Sequence, residues 1–173
     1  MTTSLLLLAD THVPLRGKDL PVDVWHAVNA ADVVVHAGDW VDLATFEALE
    51  ARSRRLVAVY GNNDGPDLRA RMPEIARARI EDVEVAVIHE TGAASGREKR
   101  MDGLFSGARP DLLVFGHSHI PWDSTTPGGI RLLNPGSPTD RRRQPVCTMM
   151  TATVDGAELR DVTLHPVERV FDS

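Results

Sequence analysis

A chain of 173 residues with 42% hydrophobic and 25% charged residues has the make-up of an ordinary globular protein, which excludes a disordered or membrane-embedded class. Its net charge of −6 opposes broad attraction to nucleic acid or anionic lipid, so a phosphate-bearing partner has to be drawn in locally. The lone cysteine, Cys147, allows no internal disulfide, and the apolar run at 4–9 is too short and lacks the basic flank of a signal peptide, so a cytoplasmic protein is expected.

The first predicted strand, "LLLLA" from Leu5, runs directly into Asp10 and His12. Leu20, Val24, Trp25 and Val28 recur at helical spacing, and His26 within that helix reads as structural. A second strand, "VVV" from Val33, leads through His36, also read as structural, to Asp39. Leu43, Phe46 and Leu49 mark the next helix, with Asp42 as its expected N-cap. The third strand, "LVAVY" from Leu56, opens into "GNND" at 61–64, and the fourth, "VEVAVI" from Val83, delivers His89. Met101, Leu104, Phe105 and Ala108 form a helical face, preceded by a capping-box pattern in Ser95 and Glu98. The fifth strand, "LLVF" from Leu112, ends in "GHSH" at 116–119. Beyond Pro110 the pattern becomes mostly β, with "GIRLLNPGS" and then "VCTMMTATVDGAELRDVTLH" folding about a hairpin turn at Asp155-Gly156. Cys147 reads as a core residue there and His165 as structural. No linker, repeat or low-complexity tract divides the chain, so residues 1–173 are read as one domain. Strands alternating with helices predict an α/β fold, and runs apolar on both faces predict strands covered on both sides.

The polar residues sit where the strands end. Asp10, His12, Asp39, Asn62, Asp64, His89, His117 and His119 all follow buried runs, and the carboxyl ends of α/β strands line the ligand crevice. Taken singly, each is a turn former, a cap or a surface histidine. Turn chemistry has no reason to choose histidine repeatedly, whereas a shell mixing imidazole and carboxylate suits Mn, Fe, Zn, Co or Ni better than Ca or Mg.

"DTH" at 10–12, "GDWVD" at 38–42, "GNND", His89 and "GHSH" resemble the five ordered motifs of the calcineurin-like metallophosphoesterases. The short chain and "NPGS" at 134–137 look most like its small bacterial and archaeal phosphodiesterases, a subgroup that also resembles the metallophosphoesterase-like subunit of retromer. The resemblance implies a four-layer α-β-β-α sandwich, two mixed sheets packed face to face with helices outside. It further implies two divalent transition-metal ions, Mn foremost, with Fe, Zn, Ni or Co as alternatives. Asp10, His12, Asp39 and His119 would hold the first, and Asp39 would bridge to a second held by Asn62, His89 and His117. Ions about 3.5–4 Å apart would lower the pKa of a shared water and clamp the phosphate, so that the nucleophile is a bridging hydroxide and no catalytic side chain is assigned.

The expected activity is hydrolysis of small or nucleotide-like phosphodiesters, with no membrane and no stable nucleic-acid partner, and with homo-oligomerisation left open. The alternative is a non-catalytic binding scaffold of the same fold, like the retromer subunit. Two positions depart from the family pattern. Asn63 stands where many members carry a histidine, and general-acid help of that kind is worth about 10²–10⁴ in rate. Glu90 stands where a glycine commonly follows the fourth motif. Arg97, Lys99, Arg100, Arg141, Arg142 and Arg143 are the candidate phosphate contacts, although a solvated charged surface is the reading for most of them.

Overall fold

The computed structural model describes residues 1–171, so the expected 1–173 domain extends two residues past the described ones. In chain order the elements are β1 (Thr2–Leu8), α1 (Val22–Ala30), β2 (Val33–His36), α2 (Leu43–Arg52), β3 (Leu56–Ala58), α3 (Pro66–Arg71) and β4 (Ile75–Ile80). There follow β5 (Val83–Ile88), α4 (Arg97–Leu104), β6 (Leu112–Val114), β7 (Trp122–Thr125), β8 (Arg131–Asn134), β9 (Cys147–Asp155) and β10 (Glu158–Val167).

Alternation along β1 sets the layering. Successive strand side chains point to opposite faces. Leu5 and Leu7 enter one core with Val33, Val35, Val85, Val87, Val114 and Met150, while Leu6 and Leu8 enter another with Val24, Trp25, Val28, Phe46 and Leu49. The first core therefore lies between two sheets and the second between a sheet and its helices. One sheet has the order β10-β9-β1-β2-β3, the other β4-β5-β6-β8-β7. Each is mixed: β1, β2 and β3 are parallel, as are β5, β6 and β8, and antiparallel strands complete both sheets. A third core joins Met101 and Phe105 of the α4 region to Ala86, Leu113, Phe115 and Leu132 behind the second sheet. These are the four expected layers. Among the described residues no helix is long and apolar enough to cross a membrane.

Local expectations fare unevenly. Asp42 caps α2 by accepting the Thr45 N–H at 3.3 Å, and Cys147 is buried. The Ser95–Glu98 capping box does not form: Gly96, at φ +73°, is the N-cap of α4 and no side chain caps it. Leu104 is exposed, and α4 ends there, so the expected helical face narrows to Met101 and Phe105. The hairpin turn is Gly156-Ala157, one residue later than expected, because Asp155 still pairs with Glu158. His36 is buried against Trp40 at 3.5 Å between ring centroids, His26 is exposed, and His165 meets the Thr151 hydroxyl at 2.6 Å.

Candidate metal centre

The strand-end loops are held in unusual backbone shapes. Asp10, His12, Asp39, His117 and His119 have φ between +44° and +72°, a left-handed region that costs such residues roughly 1–3 kcal/mol each. They persist because neighbouring loops over-determine them. Asp10 N–H donates to the Gly38 carbonyl at 2.9 Å, His12 N–H to the Asp39 carbonyl at 3.1 Å, and Gly116 N–H to the His89 carbonyl at 3.0 Å. The close approach demands glycine: a Cβ on Gly38 would lie 2.8 Å from His89 Nδ1, and one on Gly61 would fall onto the Asp39 carboxylate.

All seven side chains singled out as metal ligands converge. Donor atoms of Asp10, His12 and His119 lie within 4.8 Å of one another, as do those of Asp39, His89 and His117. Asp39 spans the two groups, with Oδ2 3.4 Å from His12 Nε2 and Oδ1 3.4 Å from His89 Nε2. Asp10 Oδ1 is 3.7 Å from His119 Nε2 and 4.0 Å from His89 Nε2. The Asn62 amide oxygen sits 2.9 Å from His89 Nε2 and 3.0 Å from His117 Nδ1. His89 Nδ1 faces the Ala37 carbonyl and His119 Nδ1 the Asp140 carbonyl, each at 2.7 Å, so both rings carry the proton there and turn Nε2 inward.

Buried polar atoms are ordinarily hydrogen-bonded. Here both Asp10 carboxylate oxygens, His12 Nε2 and His119 Nε2 are buried without a protein hydrogen-bond partner. A carboxylate and two imidazoles aimed at one point without donors between them fit a cation.

The electrostatics agree with that geometry. Burial raises the Asp10 pKa to about 8, and the nearby Asp39 charge adds to the effect while His89 opposes it. Burial acts on Asp39 in the same direction, but hydrogen bonding and charge from His89, with hydrogen bonds from Asn63, outweigh it and hold the carboxyl well below the usual range. Burial lowers His12, and it lowers His119 to about 4. His89 is raised despite its burial, because Asp39 and Asp10 favour its charged form.

Two supports have roles that the sequence did not reveal. Asp64 accepts the N–H groups of Asp39 and Gly61 through Oδ2, at 3.0 and 2.7 Å, and that of Val41 through Oδ1 at 2.7 Å. Its place in "GNND" was the only available signal. Ser137 Oγ donates to the Asp10 carbonyl at 2.7 Å, and Asn134 Nδ2 to the Gly116 carbonyl at 3.1 Å, so "NPGS" braces the first and last motifs.

The candidate phosphate contacts separate. Arg97 is buried beneath Thr91 and lies over the Phe115 and Trp122 rings, and Arg100 is bound to the carbonyls of Thr91, Ala93 and Ser95. Both guanidiniums are engaged within the α4 region, so neither is a free phosphate contact, and Arg97 is buried rather than part of a solvated surface. Lys99 is exposed. Arg142 leans on the His117 carbonyl at 3.4 Å, and its charge reaches Asp10, His12 and His119. Asn63 is committed to Asp39, donating its backbone N–H to Oδ1 at 2.9 Å and its amide to Oδ2 at 2.8 Å. A cleft of about 340 Å³ opens beside Asn62 and His89, lined also by Tyr60, Arg69, Glu74 and Glu90.

A family model for the calcineurin-like phosphoesterase superfamily domain matches residues 4–157. A probable metallophosphoesterase of Methanothermobacter thermautotrophicus is 33% identical over 159 residues, 88% of this chain and 87% of that protein. A protein of Methanocaldococcus jannaschii named a phosphodiesterase is 23% identical over 124 residues, covering 65% of this chain and 71% of its own. Vps29 of Entamoeba histolytica, solved with Zn²⁺, superposes with a TM-score of 0.75 at 22% identity, covering 95% of this chain and 98% of that one. At that identity the likeness concerns the fold.

Proposed function

We propose, from the premise that this chain belongs to the calcineurin-like phosphoesterase superfamily, that it is a dinuclear metal-dependent phosphodiesterase acting on small or nucleotide-like phosphodiesters. The observation carrying this reading is the buried Asp10 carboxylate with no hydrogen-bond donor, facing two equally unpartnered imidazoles, with Asp39 reaching from that group to His89. Asp10, His12, Asp39 and His119 would hold one ion; Asp39, Asn62, His89 and His117 would hold the other. Four imidazoles, two carboxylates and an amide oxygen suit Mn, Fe, Zn, Co or Ni, and Mn is the first to test. When bound, such a pair supplies Lewis acidity toward a phosphoryl group and lowers the pKa of water.

The chain's own residues tune the rest. Asn63 orients Asp39 through both carboxylate oxygens, so its amide is not spare for a leaving group, and esters that leave without a proton donor are favoured. Glu90 Oε1 lies 3.7 Å from His117 Nε2, where its charge opposes a dianionic monoester more than a monoanionic diester. The phosphodiesterase name of the M. jannaschii relative supports the same choice. A lone buried thiol suits a reducing, cytoplasmic setting, which stays within the proposal together with a single domain over 1–173.

Hydrolysis of bis(p-nitrophenyl) phosphate by EDTA-treated protein, with and without added Mn, tests the reading. Turnover is expected only with metal, and Asp39→Asn should lower it by at least 10³-fold. Wild-type turnover in Asp39→Asn would remove the two-metal reading. The second reading, a binding scaffold of the same fold, rests on the resemblance of the motifs to the retromer subunit, and failure to hydrolyse any diester with any of the five metals would select it.

A further inference from the structure

Arg54, Arg71, Arg79, Arg131 and Arg160 each pair with a carboxylate. Arg55, Arg69, Arg77, Arg97, Arg100 and Arg109 reach backbone carbonyls instead, but one cleft of about 410 Å³ gathers four arginines. Arg16, Arg141, Arg142 and Arg169 line it, and Asp140 is the one carboxylate among its lining residues. Asp140 pairs with Arg16 at 3.2 Å. The other guanidiniums are tied to backbone oxygens: Arg141 to the Gln144 carbonyl at 2.7 Å, Arg142 to that of His117 at 3.4 Å, and Arg169 to that of Arg16 at 2.5 Å. A carbonyl fixes a guanidinium in place but leaves its charge uncompensated. Among the described residues, four cations against a single carboxylate leave an excess of three positive charges there, in a chain whose net charge is −6. Like charges gathered so closely repel unless an anion answers them.

The cleft shares a wall with the candidate metal centre. On that wall Thr139 Oγ1 donates to the Thr11 carbonyl at 2.6 Å, and the Asp140 carbonyl accepts from His119 Nδ1. The same short loop, 139–142, thus steadies the first group of donors and carries two of the four arginines. The cleft beside Asn62 and His89, by contrast, holds two carboxylates, Glu74 and Glu90, against one arginine, Arg69.

We propose that the arginine cleft is a subsite for a phosphoryl group that the substrate carries in addition to the scissile one. The favoured substrate is then a phosphodiester with a terminal phosphate on one of its two alcohols. Guanidinium forks match phosphate oxygens in pairs, which gives such a subsite both strength and orientation. The choice of substrate rests on the phosphodiesterase reading; the anion-binding character of the cleft does not.

Calorimetric titration of inorganic pyrophosphate into EDTA-treated protein at low salt tests the cleft alone. Arg141→Ala/Arg169→Ala should bind at least tenfold more weakly than wild type, and wild-type binding should weaken as salt is raised. Equal affinities in the two proteins would overturn the inference. Should the double alanine variant fail to fold, Arg141→Gln/Arg169→Gln carries the same expectation. The second arm uses Mn-loaded protein and thymidine 5′-(p-nitrophenyl phosphate), with and without a 3′-phosphate. The 3′-phosphorylated ester should show at least fivefold higher kcat/KM, and the double variant should lose that preference. Equal kcat/KM in wild type would overturn the subsite while leaving the phosphodiesterase reading intact. Hydrolysis of neither ester would sink that reading instead, and the pyrophosphate titration would still decide the cleft.

Discussion

Asn63 grips Asp39 twice, and only one of the two hydrogen bonds belongs to its side chain. Asn63→Ala should therefore leave Asp39 tied at Oδ1 and free at Oδ2. The expected result is roughly tenfold weaker Mn binding in a calorimetric titration, in line with losing one hydrogen bond to a charged group. Undiminished affinity would mean that the amide does not orient the Asp39 carboxylate. The sequence showed this residue only as a departure, an asparagine where a histidine is common. Its grip on a carboxylate 24 residues away was not legible, because the contact exists only once β2 and β3 lie side by side. The seven candidate ligand positions were legible for the opposite reason: each lies just past a buried apolar run, in motifs whose order and spacing resemble those of the family.

At the scale of elements, the ends of β2 and β3 are joined through Asp64, whose carboxylate takes three backbone N–H groups from two loops. Asp64→Ala would leave those donors without their acceptor, at a cost of about 1–3 kcal/mol for each that stays buried. We expect a loss of roughly 2–4 kcal/mol in denaturant unfolding. A loss under about 1 kcal/mol would mean that other acceptors take over. Strands with long apolar runs were readable, whereas the edge strands β4 and β7 were not. In β4, "IARARI" puts Arg77 and Arg79 outward and Ala76 and Ala78 inward, too faint an alternation to register beside the long valine runs. The α4 cap was misread because Ser95 and Glu98 have capping-box spacing, yet left-handed Gly96 starts the helix instead.

For the molecule as a whole, the donors are divided between the two sheets: Asp10, His12, Asp39 and Asn62 come from one, His89, His117 and His119 from the other. A cation bound among them would tie the sheets together and stabilise the folded chain by mass action. The pH dependence of the chelated protein follows from the buried groups. Asp10 has a folded pKa of about 8 against an ordinary 3.8, so between those values the folded chain keeps a proton that the unfolded chain has released, and stability falls as pH rises. His89, raised above 6.5, acts in the same sense as pH climbs through its folded pKa. The depressed His12, His36 and His119 work the other way, but their contribution is complete once pH exceeds 6.5. Between pH 6.5 and 8 the Tm of EDTA-treated protein should therefore fall, by up to about 1.4 kcal/mol of stability per pH unit for each proton. Added Mn should raise Tm most at the upper end of that window, where it no longer competes with the Asp10 proton. A Tm that rises from pH 6.5 to 8 without metal would contradict the burial of Asp10. Trp40, meanwhile, comes next to Asp39 in the chain, wholly buried, its indole N–H on the Val59 carbonyl and its ring flat against His36. Its fluorescence is an internal gauge, and with Trp25 and Trp122 changed to Phe, a shift in emission colour or yield would register an ion's arrival without dye or label.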